Sequence, residues 1–110
     1  HFAKMLRFAV DRIRRMTRGR SEILLISTCP AFSRWDTMEE LAGSVRSVAA
    51  EKKTGLAEVA AAFHRAGTDD PSRLALYCRD KVHLGPTGHE LAAETVLQAI
   101  TQAGGAPAAE

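Results

Sequence analysis

The residues best suited to chemistry are Asp80 and His83, which stand three positions apart just before a predicted helix. At this spacing the carboxylate can lie beside the imidazole and accept the hydrogen on Nδ1. That bond fixes the tautomer, orients the ring and stabilises the imidazolium that forms when Nε2 takes a proton. The pair therefore predicts the acid and base of a general-base system, which needs a nucleophile as its third member.

The residues after this pair predict a restrained loop and a final helix. Small or rigid residues limit the freedom of the loop: Gly85, Pro86 and Gly88. We expect Thr87 to cap the helix, with Glu90 as its capping-box partner, and the helix to run to about Ala103. Two glycines then end it, and residues 104–110 are expected to form a flexible tail.

An amphipathic helix over residues 2–16 and a strand over 22–27 are predicted at the start of the chain. Apolar side chains recur in the helix at steps of three and four: Phe2, Met5, Leu6, Ala9, Val10, Ile13 and Met16. The strand has an uninterrupted apolar centre without alternation. This pattern is typical of a strand buried on both faces, as in a parallel sheet.

The middle of the chain predicts a second helix and a short strand. Asp36 can cap the helix, with Glu39 closing a capping box, and its buried stripe is Met38, Leu41, Ala42, Val45, Val48 and Ala49. A strand at 56–59 should lead into a helical turn, and 69–72 should form a turn or helix start. The segment 79–85 is predicted to be a loop.

This order of elements predicts an α/β fold, an incomplete three-layer α/β/α sandwich with parallel strands. Two parallel strands make a poor sheet, so further strands are expected from an upstream segment or a companion chain. The chain opens at His1 and its first residues already have a helical pattern. We therefore expect residues 1–110 to be a portion of one domain whose upstream segment has been removed or left out.

The stretch from Asp80 to Ala93 has the pattern D-x-V-H-L-x-P-x-G-H-x-x-x-A. It resembles the last conserved block of the SGNH/GDSL hydrolases. Three upstream segments resemble the same family in order: the helix over 2–16, the strand and loop over 23–30, and the segment 55–63. The resemblance implies the flavodoxin-like SGNH hydrolase fold without its N-terminal strands.

The resemblance also implies an activity, that of a serine ester hydrolase. Asp80 would be the triad acid, and His83 the base that deprotonates the serine. The family's serine, in a G-D-S motif, and its oxyanion-hole Gly and Asn have no counterpart here; Ser21 precedes a strand and follows Gly-Arg. This chain alone is therefore expected to be inactive. The implied substrate is a small-molecule or carbohydrate ester, and no cofactor or metal is implied.

Four residues after the first strand are candidates for the substrate pocket, because ligands bind at the carboxyl ends of parallel strands: Cys29, Pro30, Phe32 and Trp35. Trp35 is equally well explained as a seal on the next helix. The two cysteines, Cys29 and Cys78, are predicted to be unpaired, buried thiols.

Less specific interpretations stand beside the catalytic one. Asp80 could simply cap a turn with His83 packed beside it, and His89 is best explained as a helix-start residue. A non-catalytic α/β interaction domain is the main alternative. The basic helix over 2–16 could form a nucleic-acid-binding module, but the net charge is only +2, so no nucleic-acid partner is expected. No apolar run is long enough to cross a membrane.

Overall fold

The computed structural model describes residues 1–29 and 35–105. This part of the chain is mixed α/β and mostly helical, with one two-stranded parallel sheet. The elements follow one another in this order: α1 (Phe2–Met16), β1 (Leu24–Ile26), α2 (Trp35–Lys52), β2 (Gly55–Ala57), α3 (Val59–Ala66), α4 (Asp70–Leu74) and α5 (Pro86–Gly105).

The sheet pairs β1 with β2 in parallel, and α2 is the crossover that such a pair requires. Three Cα pairs define the register: Leu24 with Gly55, Leu25 with Leu56, and Ile26 with Ala57. Side chains alternate along each strand, and Leu24 and Ala57 belong to the same core cluster. Leu25 therefore points to the opposite face of the sheet.

The main core lies where the sheet, α3 and α5 meet the segment before the 79–85 loop. Its buried members are Ala57, Val59, Phe63, Leu76 and Tyr77, and packed against them are Leu24, Cys29, Leu84, Leu91, Ala92, Val96 and Ala99. The rings of Phe63 and Tyr77 meet edge to face, with centroids 6.5 Å apart. This core ties the residues on both sides of the loop to the end of the sheet.

The predicted helix over 2–16 is confirmed as α1, and it packs on α2. Val10 is buried at the contact. Two ion pairs cross the same contact: Arg7 Nε lies 2.9 Å from Glu51 Oε1, and Lys52 Nζ lies 3.0 Å from Asp11 Oδ1. The charged side chains of α1 are therefore partly engaged with oppositely charged partners on α2.

The apolar stripe of α1 is only partly buried. Four of its members are exposed: Phe2 (39%), Met5 (54%), Ile13 (44%) and Met16 (71%). Val10, at one margin of the stripe, is buried against the rest of the molecule, and Leu6 beside it is half-buried. The described residues provide only two strands, so no described element packs over the centre of the stripe.

The prediction for β1 was right in kind but wrong in extent and burial. The strand covers Leu24–Ile26 instead of 22–27. Leu24 and Leu25 are half-buried, while Ile26 is 50% exposed. The helices thus cover the two faces of the strand only in part.

The predicted capping box at the start of α2 was also wrong. The helix begins at Trp35, which places Asp36 inside its first turn. The Glu39 carboxylate contacts Arg46 and His64, at 3.1 and 3.2 Å. Two side chains from later in the chain thus contact the carboxylate that the sequence assigned to a capping box. The buried stripe is confirmed for Ala42, Val45, Val48 and Ala49, while Met38 and Leu41 are half-buried.

The last helix begins two residues before the position expected. Pro86 opens α5, so Thr87 lies within the helix and is not its cap. Proline suits the first helical position because its fixed φ is helical and its missing N–H would have no helical partner there. The backbone N–H of His89 donates to Gly85 O at 2.9 Å, which forms an early turn.

The C-terminal end of α5 also departs from the prediction. Its helix extends through Gly104 and Gly105, which were expected to end it. The rest of the predicted tail, 106–110, lies outside the described residues.

The remaining predicted elements are present with small shifts. The strand expected at 56–59 is β2, over Gly55–Ala57, and Val59 already belongs to α3. The helix start near 69–72 is confirmed as α4, where Asp69 caps the helix by accepting a 2.8 Å hydrogen bond from the Ser72 backbone N–H.

Candidate active site

The Asp80–His83 pair lies in a short loop that the backbone closes at its base. Tyr77 and Leu84 form an isolated antiparallel bridge. Inside it, the Cys78 backbone N–H donates to His83 O at 2.8 Å. The loop is thus anchored on both sides by residues of the core, since Tyr77 is buried and Leu84 packs against the same cluster.

Two glycines let this loop pack closely against the start of α5. A Cβ on Gly88 would overlap the carbonyl oxygen of Leu76, and a Cβ on Gly85 would lie 3.1 Å from Tyr77 O. The sequence predicted these glycines to restrain the loop. The structure shows that their role is to permit a close backbone approach, which fixes the loop relative to the helix.

The expected contact between carboxylate and imidazole is present. His83 Nδ1 lies 2.7 Å from Asp80 Oδ2. The other carboxylate oxygen, Oδ1, accepts the backbone N–H of Val82 at 2.9 Å and that of His83 at 3.1 Å. Asp80 therefore both shapes the turn and orients the ring.

These three hydrogen bonds lower the pKa of Asp80 to about 2, and the bond from the His83 side chain is the largest cause. The backbone N–H groups of Val82 and His83 lower the pKa further, because donors stabilise the ionised carboxylate. At neutral pH the group is thus an anion that accepts hydrogen bonds. With Nδ1 held by this anion, Nε2 is the nitrogen left to take a proton from a nucleophile.

The pair lies at the carboxyl-terminal side of the sheet. Leu84, the neighbour of His83, belongs to the cluster that includes Cys29 and Val59, which follow β1 and β2 respectively. This is the side on which ligands bind in open α/β sheets. The pair is nonetheless open to solvent: the side chain of His83 is 77% exposed and that of Asp80 50%.

The predicted pocket residues are placed only in part. Cys29 is half-buried in the core cluster near Leu84, and burial raises the pKa of its thiol. Pro30 and Phe32 lie outside the described residues, and Trp35 is described only as the first residue of α2. The structure thus brings one of the four candidates close to the loop.

Both cysteines are free thiols, as predicted. The prediction that both are buried was wrong: Cys29 is half-buried and Cys78 is exposed. Cys78 belongs to the loop itself, where its Sγ lies 3.4 Å from Leu84 O. It is exposed because the loop projects from the core instead of lying in it.

Other predicted features can be placed as well. His89 is exposed in the first turns of α5, in agreement with its interpretation as a helix-start residue. The described residues contain no cluster of three side chains able to hold a metal ion. None of the described helices is long and apolar enough to cross a membrane.

A charged cluster between α2 and α3 was missed by the sequence analysis. Arg46 Nε lies 2.9 Å from both carboxylate oxygens of Glu58, and its guanidinium also contacts Glu39. Glu58 is the largest cause of a raised pKa for Arg46. Glu39 and Arg46 are two helical turns apart, so their spacing carried a signal for one pair. The contact with Glu58 required knowledge of the tertiary packing.

Comparison with known proteins identifies no relative of this chain. No protein-family model matches the sequence, and no curated protein or solved structure matches it significantly. What the arrangement can do chemically therefore follows from the loop itself: an ionised carboxylate holding an imidazole whose second nitrogen is open to a partner.

Proposed function

We propose that residues 1–110 are the C-terminal portion of an SGNH/GDSL-type serine ester hydrolase. In this proposal Asp80 is the acid and His83 the base of a Ser-His-Asp triad. The complete protein would be a flavodoxin-like three-layer α/β/α sandwich with additional strands. The observation that carries the proposal is the 2.7 Å contact between Asp80 Oδ2 and His83 Nδ1, in a loop at the carboxyl-terminal side of a parallel sheet.

The chemistry requires a serine from outside these residues. As its Oγ attacks the ester carbonyl, His83 Nε2 takes the hydroxyl proton, and Asp80 stabilises the imidazolium. The tetrahedral intermediate collapses when the carbon–oxygen bond to the alcohol breaks and His83 returns the proton to the departing oxygen. Water then attacks the acyl-serine with the same base, which releases the carboxylic acid and regenerates the serine. No metal or cofactor enters this scheme.

The location of Ser21 argues against it as the nucleophile. It lines a cleft of about 450 Å³ together with Glu22, Ile23, Thr54 and Gly55, at the amino-terminal ends of the strands. The loop with His83 lies at the opposite end. The serine and the oxyanion-hole donors are therefore assigned to a segment or companion chain that completes the site. We call residues 1–110 together with that segment or chain the parent assembly.

We propose small acyl esters of polar or carbohydrate alcohols as the substrates, the class that the resemblance to SGNH/GDSL hydrolases implies.

A fluorophosphonate probe tests this proposal, because it labels only a serine activated by a base. The parent assembly should be labelled on one serine outside residues 1–110, and His83→Ala should abolish the labelling. His89→Ala is the matched control, since His89 is an exposed histidine on the neighbouring helix. The 110-residue chain alone should stay unlabelled. Equal labelling of the wild type and His83→Ala would contradict the proposal.

One observation favours a second candidate, a non-catalytic α/β interaction domain. Asp80 Oδ1 accepts two backbone N–H groups, and this role in building the turn would explain the aspartate without catalysis. The labelling experiment distinguishes the two candidates. If the pair is purely structural, no serine in the parent assembly is labelled in a way that depends on His83.

A further inference from the structure

We propose that the cleft at the amino-terminal ends of β1 and β2 binds a monoanionic carboxylate that carries a short apolar chain. This cleft lies at the end of the sheet opposite the loop with Asp80 and His83. The inference rests on the residues that line the cleft, and it is independent of the proposed function.

The cleft is formed by several elements of the fold. Its volume of about 450 Å³ is within the range of sites for small organic ligands. The charged residues and hydroxyl groups of its lining are Arg14, Lys53, Glu22, Ser21 and Thr54. They come from the end of α1 and from the segments that lead into the two strands, so the cleft exists only in the folded chain.

Two hydrogen-bonded turns fix the backbone around the cleft. After α1, Gly19 N donates to Arg14 O at 2.8 Å, and after α2, Thr54 N donates to Ala49 O at 3.1 Å. Gly19 and Lys53 both have a positive φ, of 74° and 57°, which turns the chain sharply away from each helix. The two cations, Arg14 and Lys53, therefore extend from well-defined backbone positions.

Arg14 is the clearest indication of an anionic ligand. It is half-buried, yet no ion pair or side-chain hydrogen bond joins it to another described residue. Arg7 and Arg46, which are half-buried as well, both pair with glutamates. A guanidinium that has lost part of its hydration is stabilised by an oxyanion, and its planar shape fits a carboxylate through two parallel hydrogen bonds.

The negative ends of two helices offer a simpler explanation for cations here, because α1 and α2 both end beside the cleft. The carbonyls of Arg14 and Ala49 at these ends already accept the backbone N–H groups described above. Neither the Arg14 guanidinium nor the Lys53 ammonium forms a hydrogen bond with a terminal carbonyl among the described residues. Both cations are therefore available to a ligand.

The remaining charge at the cleft favours a monoanion. Glu22 is exposed in the lining and forms no ion pair with Arg14 or Lys53 within the described part of the chain. Together with the negative helix ends, its carboxylate opposes a second negative charge on the ligand. A carboxylate therefore suits the cleft better than a phosphate monoester, which carries about two negative charges at neutral pH.

The rest of the lining includes three aliphatic side chains, those of Ile23, Leu24 and Ile100. Ile23 and Leu24 are half-buried, and Ile100 is exposed. An apolar chain attached to the carboxylate would cover this surface, and each methylene group buried there adds to the affinity. The lining thus specifies both parts of the ligand, an anionic head and an apolar chain.

NMR titration of the ¹⁵N-labelled 110-residue chain with acetate, butanoate and hexanoate tests the proposal. The backbone amide signals of Ser21, Glu22, Thr54 and Gly55 should shift and saturate. Affinity should rise by about twofold to fourfold for each added methylene group. Hexan-1-ol and hexyl phosphate should both bind more weakly than hexanoate, because the first lacks the charge and the second carries too much of it.

Substitution of Arg14 tests the recognition of the anion. Arg14→Gln should weaken hexanoate binding by about tenfold or more, the effect of losing charge-assisted hydrogen bonds. Arg15→Gln is the matched control, because it removes the same charge from an exposed neighbour that does not line the cleft. Its affinity for hexanoate should equal that of the wild type.

Glu22→Gln provides a test that does not depend on a loss of binding. It should strengthen hexanoate binding by about twofold to threefold, because it removes a like charge from the lining. A gain in affinity cannot result from misfolding, so this variant decides the matter if Arg14→Gln does not fold. Glu90→Gln, an exposed residue at the start of α5, is the control and should leave the affinity unchanged.

A last pair of variants tests the aliphatic part of the lining. Ile100→Ser should reduce the gain in affinity for each added methylene group, because less apolar surface remains to be covered. Leu97→Ser should not, since Leu97 is exposed on the same helix but does not line this cleft.

Several results would overturn the proposal. The amide signals at the cleft do not shift saturably, or Arg14→Gln and Arg15→Gln bind hexanoate alike, or Glu22→Gln does not strengthen binding. Acetate or hexan-1-ol binds as tightly as hexanoate, which would indicate a site for a bare anion or for an apolar group alone. Hexyl phosphate binds more tightly than hexanoate, which would assign the cleft to phosphate esters. None of these results involves His83, so failure of this proposal and failure of the hydrolase proposal are distinguishable.

Discussion

At the scale of single residues, Asp80 combines two tasks that are often divided among several groups. Its Oδ1 holds the turn through the N–H groups of Val82 and His83, and its Oδ2 holds the imidazole. All of these bonds favour the ionised carboxylate. The acid of the proposed triad is therefore ionised over the whole physiological pH range, before any substrate or partner is present.

The first prediction concerns the titration of Asp80. A carboxyl ¹³C NMR titration of the chain should give a midpoint near the pKa of about 2, below the ordinary value of about 3.9. In His83→Phe the midpoint should rise, because the largest cause of the shift is lost. It should stay below the ordinary value, since backbone N–H groups still donate to Oδ1. His89→Phe is the control, and an unchanged midpoint in His83→Phe would contradict this account of the pair.

The second prediction follows from the same shift. Because the pKa of Asp80 is lower in the folded chain than in the unfolded chain, its stabilising effect is complete above about pH 5 and is lost as the pH falls toward the folded value. Asp80→Asn should therefore lose less thermal stability than the wild type between pH 5 and pH 2. Calorimetry or circular dichroism at the two pH values measures this difference. An equal loss in both proteins would show that Asp80 has no such linkage.

At the scale of elements, the start of α5 depends on the absence of a side chain at Gly88. The Leu76 carbonyl occupies the space that a Cβ would need. The opposite case is Gly43, in the middle of α2, where nothing lies within 4 Å of the position that a Cβ would take. The two glycines thus form a matched pair for measuring what the close approach requires.

The third prediction uses this pair. Gly88→Ala should lower the free energy of unfolding by about 1–3 kcal/mol, because the helix or the 76–77 backbone must move. Gly43→Ala should raise it by roughly 0.5–1 kcal/mol, because alanine is the better helix former. Urea denaturation measures both. A Gly88→Ala variant as stable as the wild type would show that the loop and α5 are not packed as described.

The fourth prediction concerns the charged cluster between α2 and α3. Arg46→Met should lower the free energy of unfolding by up to about 1 kcal/mol, since the side chains are partly exposed and solvent screens the pairs. The effect should shrink in about 1 M salt, where charge interactions are strongly screened. Urea denaturation at low and high salt measures both effects. A loss that is the same in both would assign the role of Arg46 to packing of its methylene groups.

The helices and the contact between Asp80 and His83 could be predicted from the sequence because their signals are local. The three-residue spacing of Asp80 and His83 and the periodicity of α1 lie within a few turns of chain. Burial could not be predicted, because it depends on neighbours distant in sequence. The exposed stripe of α1 illustrates this: its amphipathic pattern indicates a buried face, but the described residues do not pack over it. The capping box of Asp36 and Glu39 failed for a related reason, since the Glu39 carboxylate contacts Arg46 and His64, which follow later in the chain.

At the scale of the whole molecule, two features are consistent with the proposed parent assembly. Among the described residues no strand pairs with the second edge of β1, and the imidazole of His83 is 77% exposed with no nucleophile assigned to it. A single added segment would account for both, because a strand beside β1 would end at the carboxyl-terminal side of the sheet, where the loop lies. The proposed parent assembly would therefore explain both the second edge of β1 and the exposure of His83.

The most direct test of this account is the hydrolysis of p-nitrophenyl acetate by the parent assembly. We predict that His83→Ala lowers kcat/KM by about 10²–10⁴-fold, the usual contribution of a general base, while His89→Ala leaves it unchanged. A His83→Ala assembly that keeps kcat/KM within about twofold of the wild type would contradict the assignment of His83 as the base.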